Sequence, residues 1–194
     1  DSPAVKRAAK VMRRYAKAKI TYLFGTDSEV VDSKVFGSWL TVDGDMHVTV
    51  DEAKAADYLY QLALRTNTAY GKHTFKTTGG NTITVNGGSY GWRIDREAEL
   101  RQLIVDIKSS KAVNREPAYK QRGKTRKSIY EDIGNSYVEV SIAQQHMWVY
   151  KDGRQVVSTP VVTGNTLAGH GTTPGVYYIA YKARHATLKG EDYK

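Results

Sequence analysis

The stretch that decides the fold of the C-terminal part is SYVEVSIAQQHMWVYKDGRQVVSTPVVTG, Ser136 to Gly164. Apolar and polar side chains alternate from Val138 to Ile142 and again from Met147 to Val149. This period of two is typical of half-buried strands. Asp152-Gly153 then supplies a tight turn before a further apolar run. The stretch therefore predicts successive antiparallel strands in an all-β unit.

The residues that follow extend this unit to Lys194 with a loop rich in Gly and Thr and then the run GVYYIAY at 175–181, which predicts another strand. A total of about four strands is too few to close a sandwich or barrel comfortably. We therefore expect an incomplete all-β domain over 136–194. Some of its apolar residues should lack part of their packing partners: Val138, Val140, Ile142, Val161, Val162, Val176 and Ile179.

Residues 1–110 alternate between helix and strand patterns. Three amphipathic helices are predicted: one that begins at Asp1-Ser2-Pro3, one over about 52–66 and one over about 96–109. Strand patterns with short turns lie between them, including a Thr-rich pair on either side of Gly79-Gly80-Asn81. Because short turns join antiparallel strands, we expect an α+β module with helices packed on an antiparallel sheet.

Positive charge is concentrated in two segments of a chain whose formal net charge is +9. Residues 4–19 contain seven Lys or Arg and no acid, and residues 111–127 contain seven against one Glu. Such segments suit nucleic acid, anionic lipid or anionic cell-wall polymers, and the alternative interpretation is solvated surface. Because periodicity is also lost after residue 110, we predict a basic linker over 111–135.

The sequence lacks cysteine and lacks a long apolar run, and both facts limit the functions that these residues can have. The 194 residues include no cysteine, which excludes disulfides, thiolate metal sites and thiol nucleophiles among them. No apolar run reaches the length of about 18 residues that a membrane-spanning helix needs. The chain begins at Asp1 rather than Met, without a signal peptide pattern, which leaves room for a membrane anchor upstream of residue 1. We predict no metal site and no cofactor.

Taken together, the motifs resemble a known family. YVEVSIAQQHMWVYKDGRQVVSTPVVTG, TTPGVYYI and ATLKG are similar to the opening of the L,D-transpeptidase catalytic domain, the YkuD-like family of peptidoglycan cross-linking enzymes. ITYLFG, VTVDEAKAADYLYQLA, HTFKTTGG and GGSYGWRIDREAELRQL resemble the peptidoglycan-binding module upstream of that domain in Gram-positive enzymes. Their order and spacing, rather than any single motif, carry the resemblance, which covers nearly the whole chain apart from the linker.

The resemblance implies a reaction on bacterial peptidoglycan outside the cytoplasm. In the family, a cysteine thiolate attacks a carbonyl of a tetrapeptide stem and expels the terminal D-alanine, and an amine of a neighbouring stem resolves the acyl-enzyme. The family's catalytic His and its Ser-His-Gly-Cys segment lie beyond the part that Lys194 matches. We therefore assign no catalytic residue, and we expect an inactive fragment of a wall-located or membrane-anchored L,D-transpeptidase whose partners are stem peptides and anionic wall polymers.

Two residues are candidates for substrate binding under this resemblance. His170, in the loop AGHGTTPG, is predicted to lie near the mouth of the cleft, and Tyr178 is predicted on a strand of which one face could line the stem-peptide groove. His47, His73 and His146 lack metal-ligand spacing and are interpreted as surface or strand-edge residues. The tryptophans are predicted to anchor the core rather than stack on sugars: Trp39, Trp92 and Trp148.

Two other functions stay open. A non-catalytic wall-binding protein would use the module and the half-domain only for attachment, and a Ser-His-Gly-Cys segment encoded after Lys194 would distinguish the transpeptidase from it. A nucleic-acid-binding protein would use the basic segments, but it calls for interleaved exposed aromatic residues or a groove-reading helix. The first basic segment offers only Tyr15, so we predict no nucleic-acid partner.

Overall fold

The computed structural model describes residues 2–185 and 187. The helices in this part of the chain are α1 (Pro3–Tyr15), α2 (Ser33–Phe36), α3 (Glu52–Thr66) and α4 (Arg96–Ser109), with a 3-10 turn at Gly37–Trp39. The strands are β1 (Lys19–Phe24), β2 (Asp27–Val31), β3 (Leu40–Val42), β4 (Val48–Val50), β5 (Lys72–Lys76), β6 (Thr82–Asn86), β7 (Arg93–Ile94), β8 (Ala112–Arg115), β9 (Tyr119–Gln121), β10 (Tyr137–Ser141), β11 (His146–Lys151) and β12 (Arg154–Pro160).

The three long helices begin at side chains that cap their free N–H groups. Ser2, Asp51 and Asp95 each accept a hydrogen bond from a backbone N–H in the first turn of α1, α3 and α4. The bounds of α3 and α4 are those predicted, and α1 begins at the predicted Ser-Pro pair. Within the described residues, none of the helices is both long enough and apolar enough to cross a membrane.

The sheet at the centre of the N-terminal part has the order β2-β1-β8. β1 pairs antiparallel with β2, but it pairs parallel with β8, with Ile20 opposite Val113. The expectation of a purely antiparallel sheet is therefore wrong in this detail. The physical reason is that a long crossover, which includes α3 and α4, separates β1 from β8, and such a connection permits parallel pairing.

The core of the N-terminal part forms where the helices cover this sheet. Trp39 and Trp92 are buried, as predicted for core anchors, whereas Trp148 is half-buried. The fully buried apolar side chains come from β1, β2, α2, α3 and α4 and include Ile20, Tyr22, Val31, Phe36, Leu59, Leu62, Leu103 and Ile107. The predicted combination of helices and strands in an N-terminal module followed by β-structure is confirmed.

The segment 111–135, predicted to be a linker, contains the two short strands β8 and β9. β8 pairs with β1 and β9 pairs with β7, so both strands join elements of the preceding part of the chain. Asp132 is fully buried. The loss of helical periodicity thus marks short strands and coil, and the division of the chain at 1–110, 111–135 and 136–194 stays a prediction.

The C-terminal part contains the predicted antiparallel meander β10-β11-β12. The predicted strand over 175–181 is wrong, because this segment forms no ladder with a neighbouring strand among the described residues. Several apolar residues of this part are exposed rather than packed: Val138, Val140, Ile142, Val156, Val157, Val162, Leu167 and Ile179.

Candidate functional site

Backbone hydrogen bonds join the N-terminal part to the C-terminal part at a seam, defined as Gly87, Gly88 and Tyr90 on one side and Gly175, Val176 and Tyr178 on the other. The Val176 N–H donates to the Gly87 carbonyl at 3.0 Å, and the Tyr90 N–H donates to the Val176 carbonyl at 3.0 Å. A Cβ atom on Gly175 would lie 2.8 Å from the Gly88 nitrogen. Because φ is positive at both glycines, the backbones meet where other residues would be strained.

Tyr178 secures the same seam with its side chain. Its ring lies 4.8 Å from the Tyr90 ring, and its hydroxyl donates to the Arg122 carbonyl at 2.9 Å. Tyr90 donates to the Asp132 carbonyl at 2.7 Å and accepts from the Lys124 N–H, and burial raises the pKa of its phenol. The segment 122–132 thus lies beneath the seam and holds both tyrosines in place.

A second set of contacts joins β10 and β11 to the turn between β5 and β6. Glu139 accepts from the Thr78 N–H at 2.9 Å and from the Thr78 hydroxyl at 2.6 Å, and that hydroxyl also lies 2.9 Å from the Tyr150 hydroxyl. Tyr137 packs edge-on against Phe75 at 5.2 Å. The meander β10-β11-β12 therefore packs against the N-terminal part through polar and aromatic contacts.

A buried polar pair lies below the seam. His73 Nδ1 is 2.6 Å from Asp132 Oδ1, and both side chains are fully buried. Thr68 donates to the other carboxylate oxygen at 2.5 Å. The interpretation of His73 as a surface or strand-edge residue is wrong, because its side chain points from β5 into the interior. Asp132 is 59 residues away in sequence, so no local pattern could have indicated this pair.

His170 and Tyr178 lie in different surroundings. His170 is exposed in a loop that closes on itself, since its N–H donates to the Asn165 carbonyl at 2.9 Å and Gly164 N–H donates to the Thr172 hydroxyl. No hydrogen bond or ring contact joins His170 to Tyr178 in the described part of the chain. The structure therefore brings Tyr178, but not His170, to the seam.

An open groove of about 560 Å³ lies between α2 and α3. Its floor includes Trp39 and Tyr58, whose rings are 5.5 Å apart, and its rim includes Lys54, Asp57 and Gln61. Burial raises the pKa of Tyr58, whose hydroxyl donates to a Glu29 carboxylate at 2.6 Å. Aromatic floor and polar rim are features that suit a sugar or a peptide.

Comparisons with known proteins decide the family. Residues 2–115 match the family model described as "Putative peptidoglycan binding domain", and residues 135–193 match the L,D-transpeptidase catalytic domain. A solved cysteine-to-serine variant of the Enterococcus faecium L,D-transpeptidase is 31% identical, with 96% of this chain and 73% of that chain covered and a TM-score of 0.79. The chain belongs to the L,D-transpeptidase family.

A second solved structure, the carbamoyl enzyme of Ldtfm with avibactam, is also 31% identical, with 96% of this chain and 71% of that chain covered and a TM-score of 0.78. A comparison with curated protein sequences gave no match. In this L,D-transpeptidase chain, the seam joins residues of the first matched family region to residues of the second. The peptidoglycan-binding region thus contacts the catalytic region directly.

Residues 2–185 and 187 contain no group of three or more His, Asp or Glu side chains arranged to hold a metal ion. The predicted motif ATLKG falls mostly outside the described residues, as does the end of the chain.

Proposed function

We propose that this chain binds peptidoglycan with its N-terminal module and presents stem peptides along its C-terminal part, as the substrate-binding portion of an L,D-transpeptidase. The observation that carries the proposal is the seam, since it fixes the peptidoglycan-binding region against the catalytic region through backbone hydrogen bonds. A fixed relative position lets one region hold the wall while the other receives a stem. The chain acts outside the cytoplasm, where peptidoglycan lies.

We propose that the 194 residues bind the substrate and do not provide the nucleophile of the reaction. They contain no cysteine, and the family reaction proceeds through a thiolate. We propose that these residues alone form no acyl-enzyme, and that the cysteine of the full reaction is contributed from outside them. A non-catalytic wall-binding protein is the second candidate, and the same absence of cysteine favours it.

The two predicted substrate contacts have different support. Tyr178 is 47% exposed although its hydroxyl donates a hydrogen bond to the Arg122 carbonyl, so the residue is partly open to solvent beside the seam. His170 is exposed, its side chain has no hydrogen-bond partner within residues 2–185 and 187, and its ring nitrogens can bond a carboxylate or amide of a stem peptide. We propose that the ring of Tyr178 packs against the stem and that His170 provides a polar contact at the mouth of the predicted stem-peptide groove.

Titration with a soluble disaccharide tetrapeptide tests this assignment. His170→Ala should weaken binding several-fold, on the order of a single lost hydrogen bond at about 1 kcal/mol. His47→Ala, at an exposed position in the loop between β3 and β4, is the matched control and should bind like the parent chain. Equally weakened binding in both variants would show that His170 does not contact the stem peptide.

Mass spectrometry after incubation with avibactam tests the second part of the proposal. The chain should keep its mass, because no thiol is available for carbamoylation. An adduct that survives denaturation would show that another side chain acts as nucleophile and would contradict the assignment.

A further inference from the structure

The two basic segments of the sequence differ in how the fold uses their charge. In residues 111–127, most of the Lys and Arg side chains contact other side chains of the fold. Arg115, Arg122 and Lys127 form ion pairs with carboxylates. Arg126 lies over the rings of three aromatic residues and donates to a backbone carbonyl. The charge of this segment is therefore used mainly to hold the fold together.

Residues 4–19 show the opposite arrangement. Their cationic side chains are all exposed, and none forms an ion pair with any residue in the described ranges. Lys19 N–H donates to the Lys111 carbonyl at 3.1 Å, which places exposed Lys111 beside them. We call this set the basic strip: Lys6, Arg7, Lys10, Arg13, Arg14, Lys17, Lys19 and Lys111.

Helical spacing places four residues of the strip in one row. Lys6, Lys10, Arg13 and Lys17 follow one another three, four or seven positions apart, so they lie along one face of α1 and just beyond its end. At 1.5 Å per residue, this row is about 16 Å long. The arrangement offers a line of positive charge rather than a compact pocket.

The opposite face of α1 is already used by the fold. Ala8 and Tyr15 are buried, and Val11 and Met12 pack against the core. Helices that lie in a bilayer surface need an apolar face to insert between lipids. The apolar face of α1 is instead buried against the protein core. An electrostatic contact with a polymer in solution fits the strip better than insertion into a membrane.

We propose that the basic strip is a binding site for a linear anionic phosphodiester polymer. A line of cations without ion pairs among the described residues is complementary in charge to a chain of phosphates, and the release of counterions from such a polymer drives binding. The proposal does not depend on peptidoglycan binding by the module. It assigns the polymer to residues 6–19 and Lys111, and it excludes the other lysines of the second basic segment.

Binding of synthetic poly(glycerol phosphate) to the intact chain tests the assignment. The strip variant K6Q/K10Q/K17Q removes three aligned charges, and the control K120Q/K124Q/K151Q removes three exposed lysines that form no ion pair in the described residues. The strip variant should bind about tenfold or more weakly, and its slope of log affinity against log salt should fall by about two. The control should stay within about twofold of the parent chain, because non-contacting charges are screened.

The remaining outcomes are also decisive once circular dichroism shows that both variants keep their helix content. Equal losses in the two variants, or no loss in the strip variant, would overturn the proposal. Tighter binding of phosphatidylglycerol vesicles or duplex DNA than of the polymer at equal phosphate concentration would also overturn it. Retained binding of the strip variant to peptidoglycan stripped of anionic polymers is expected, and it separates this proposal from the function proposed above.

Discussion

At the residue scale, Glu99 is the most heavily bonded charge in the interior. It has no exposed surface and accepts hydrogen bonds from the Tyr22 hydroxyl, the Ala118 N–H and both terminal nitrogens of Arg115. Arg115 Nε also donates to Asp106 at 2.8 Å, and the two carboxylates raise the pKa of Arg115 against the opposing effect of its burial. This network connects α4, β1 and β8.

Arg115→Ala should therefore be severely destabilising. It leaves the Glu99 carboxylate buried without a countercharge, which costs about 3–5 kcal/mol of unfolding free energy. Arg122→Ala is the matched control, because Arg122 pairs with Glu116 at an exposed position and should lose at most about 1–2 kcal/mol. Urea unfolding of both variants measures the difference, and similar losses would show that Glu99 is stabilised without Arg115.

A second residue-scale prediction concerns high pH. Burial raises the pKa of Tyr119 to about 12, although Arg126, which donates to its hydroxyl at 2.9 Å, opposes the shift. An unfolded tyrosine titrates near about 10. The folded state therefore holds its proton longer, so the stability that Tyr119 contributes is complete below about pH 10 and is lost as the pH rises toward about 12.

Tyr119→Phe should reduce the loss of unfolding free energy at high pH. The unfolding free energy of the variant should fall less between about pH 10 and about pH 11 than that of the parent chain, because one proton linkage is removed. Tyr60→Phe, at an exposed position of α3, is the control. An unchanged pH dependence in Tyr119→Phe would contradict the linkage.

At the element scale, the N-cap of α3 should be measurable. Asp51 Oδ1 accepts from the N–H groups of Ala53 and Lys54 at 3.1 and 3.2 Å. Asp51→Ala should lower the unfolding free energy by about 0.5–2 kcal/mol, whereas Asp57→Ala, at an exposed position inside the same helix, should have little effect. Equal effects in the two variants would mean that the cap contributes nothing.

The elements show which features a single sequence predicts. α3 and α4 were predictable because an Asp cap and an apolar stripe are both local signals. The parallel pair of β1 and β8 was not predictable from turns, because its two strands are far apart in the chain. The run GVYYIAY has strand composition, but its partners at Gly87 and Tyr90 leave it only two backbone hydrogen bonds there.

The candidate site was predictable only in part. Tyr178 was singled out from its strand pattern, yet its bond to Arg122 and its packing on Tyr90 depend on contacts that join distant segments. The buried pair of His73 and Asp132 was missed for the same reason. The two basic segments are alike in composition, and they differ only in contacts that the fold creates: carboxylate ion pairs and the ring contacts of Arg126 occur in the second segment.

At the scale of the whole molecule, the seam should be sensitive to one added methyl group. Gly88 and Gly80 have φ values of +89° and +88°, but an added Cβ would collide with the Val176 backbone at Gly88 and would meet no atom within 4 Å at Gly80. Gly80→Ala should cost roughly 1–2 kcal/mol from its backbone conformation alone. Gly88→Ala should cost more and should release the amide protons of Tyr90 and Val176 to hydrogen exchange.

Hydrogen exchange distinguishes the two effects. If both amides stay protected in Gly88→Ala as they do in Gly80→Ala, the seam does not hold the two parts of the chain together. In that case the contact between the peptidoglycan-binding region and the catalytic region has no energetic role.

Co-sedimentation of the intact chain with purified peptidoglycan stripped of anionic polymers tests most directly whether this chain binds peptidoglycan. At about 1 M salt, where charges are screened over about 3 Å, nonspecific attraction of a chain of net charge +9 is suppressed. We predict that the chain sediments under these conditions and that soluble disaccharide tetrapeptide releases it. A chain that stays in the supernatant, or that soluble peptide does not release, would contradict the account.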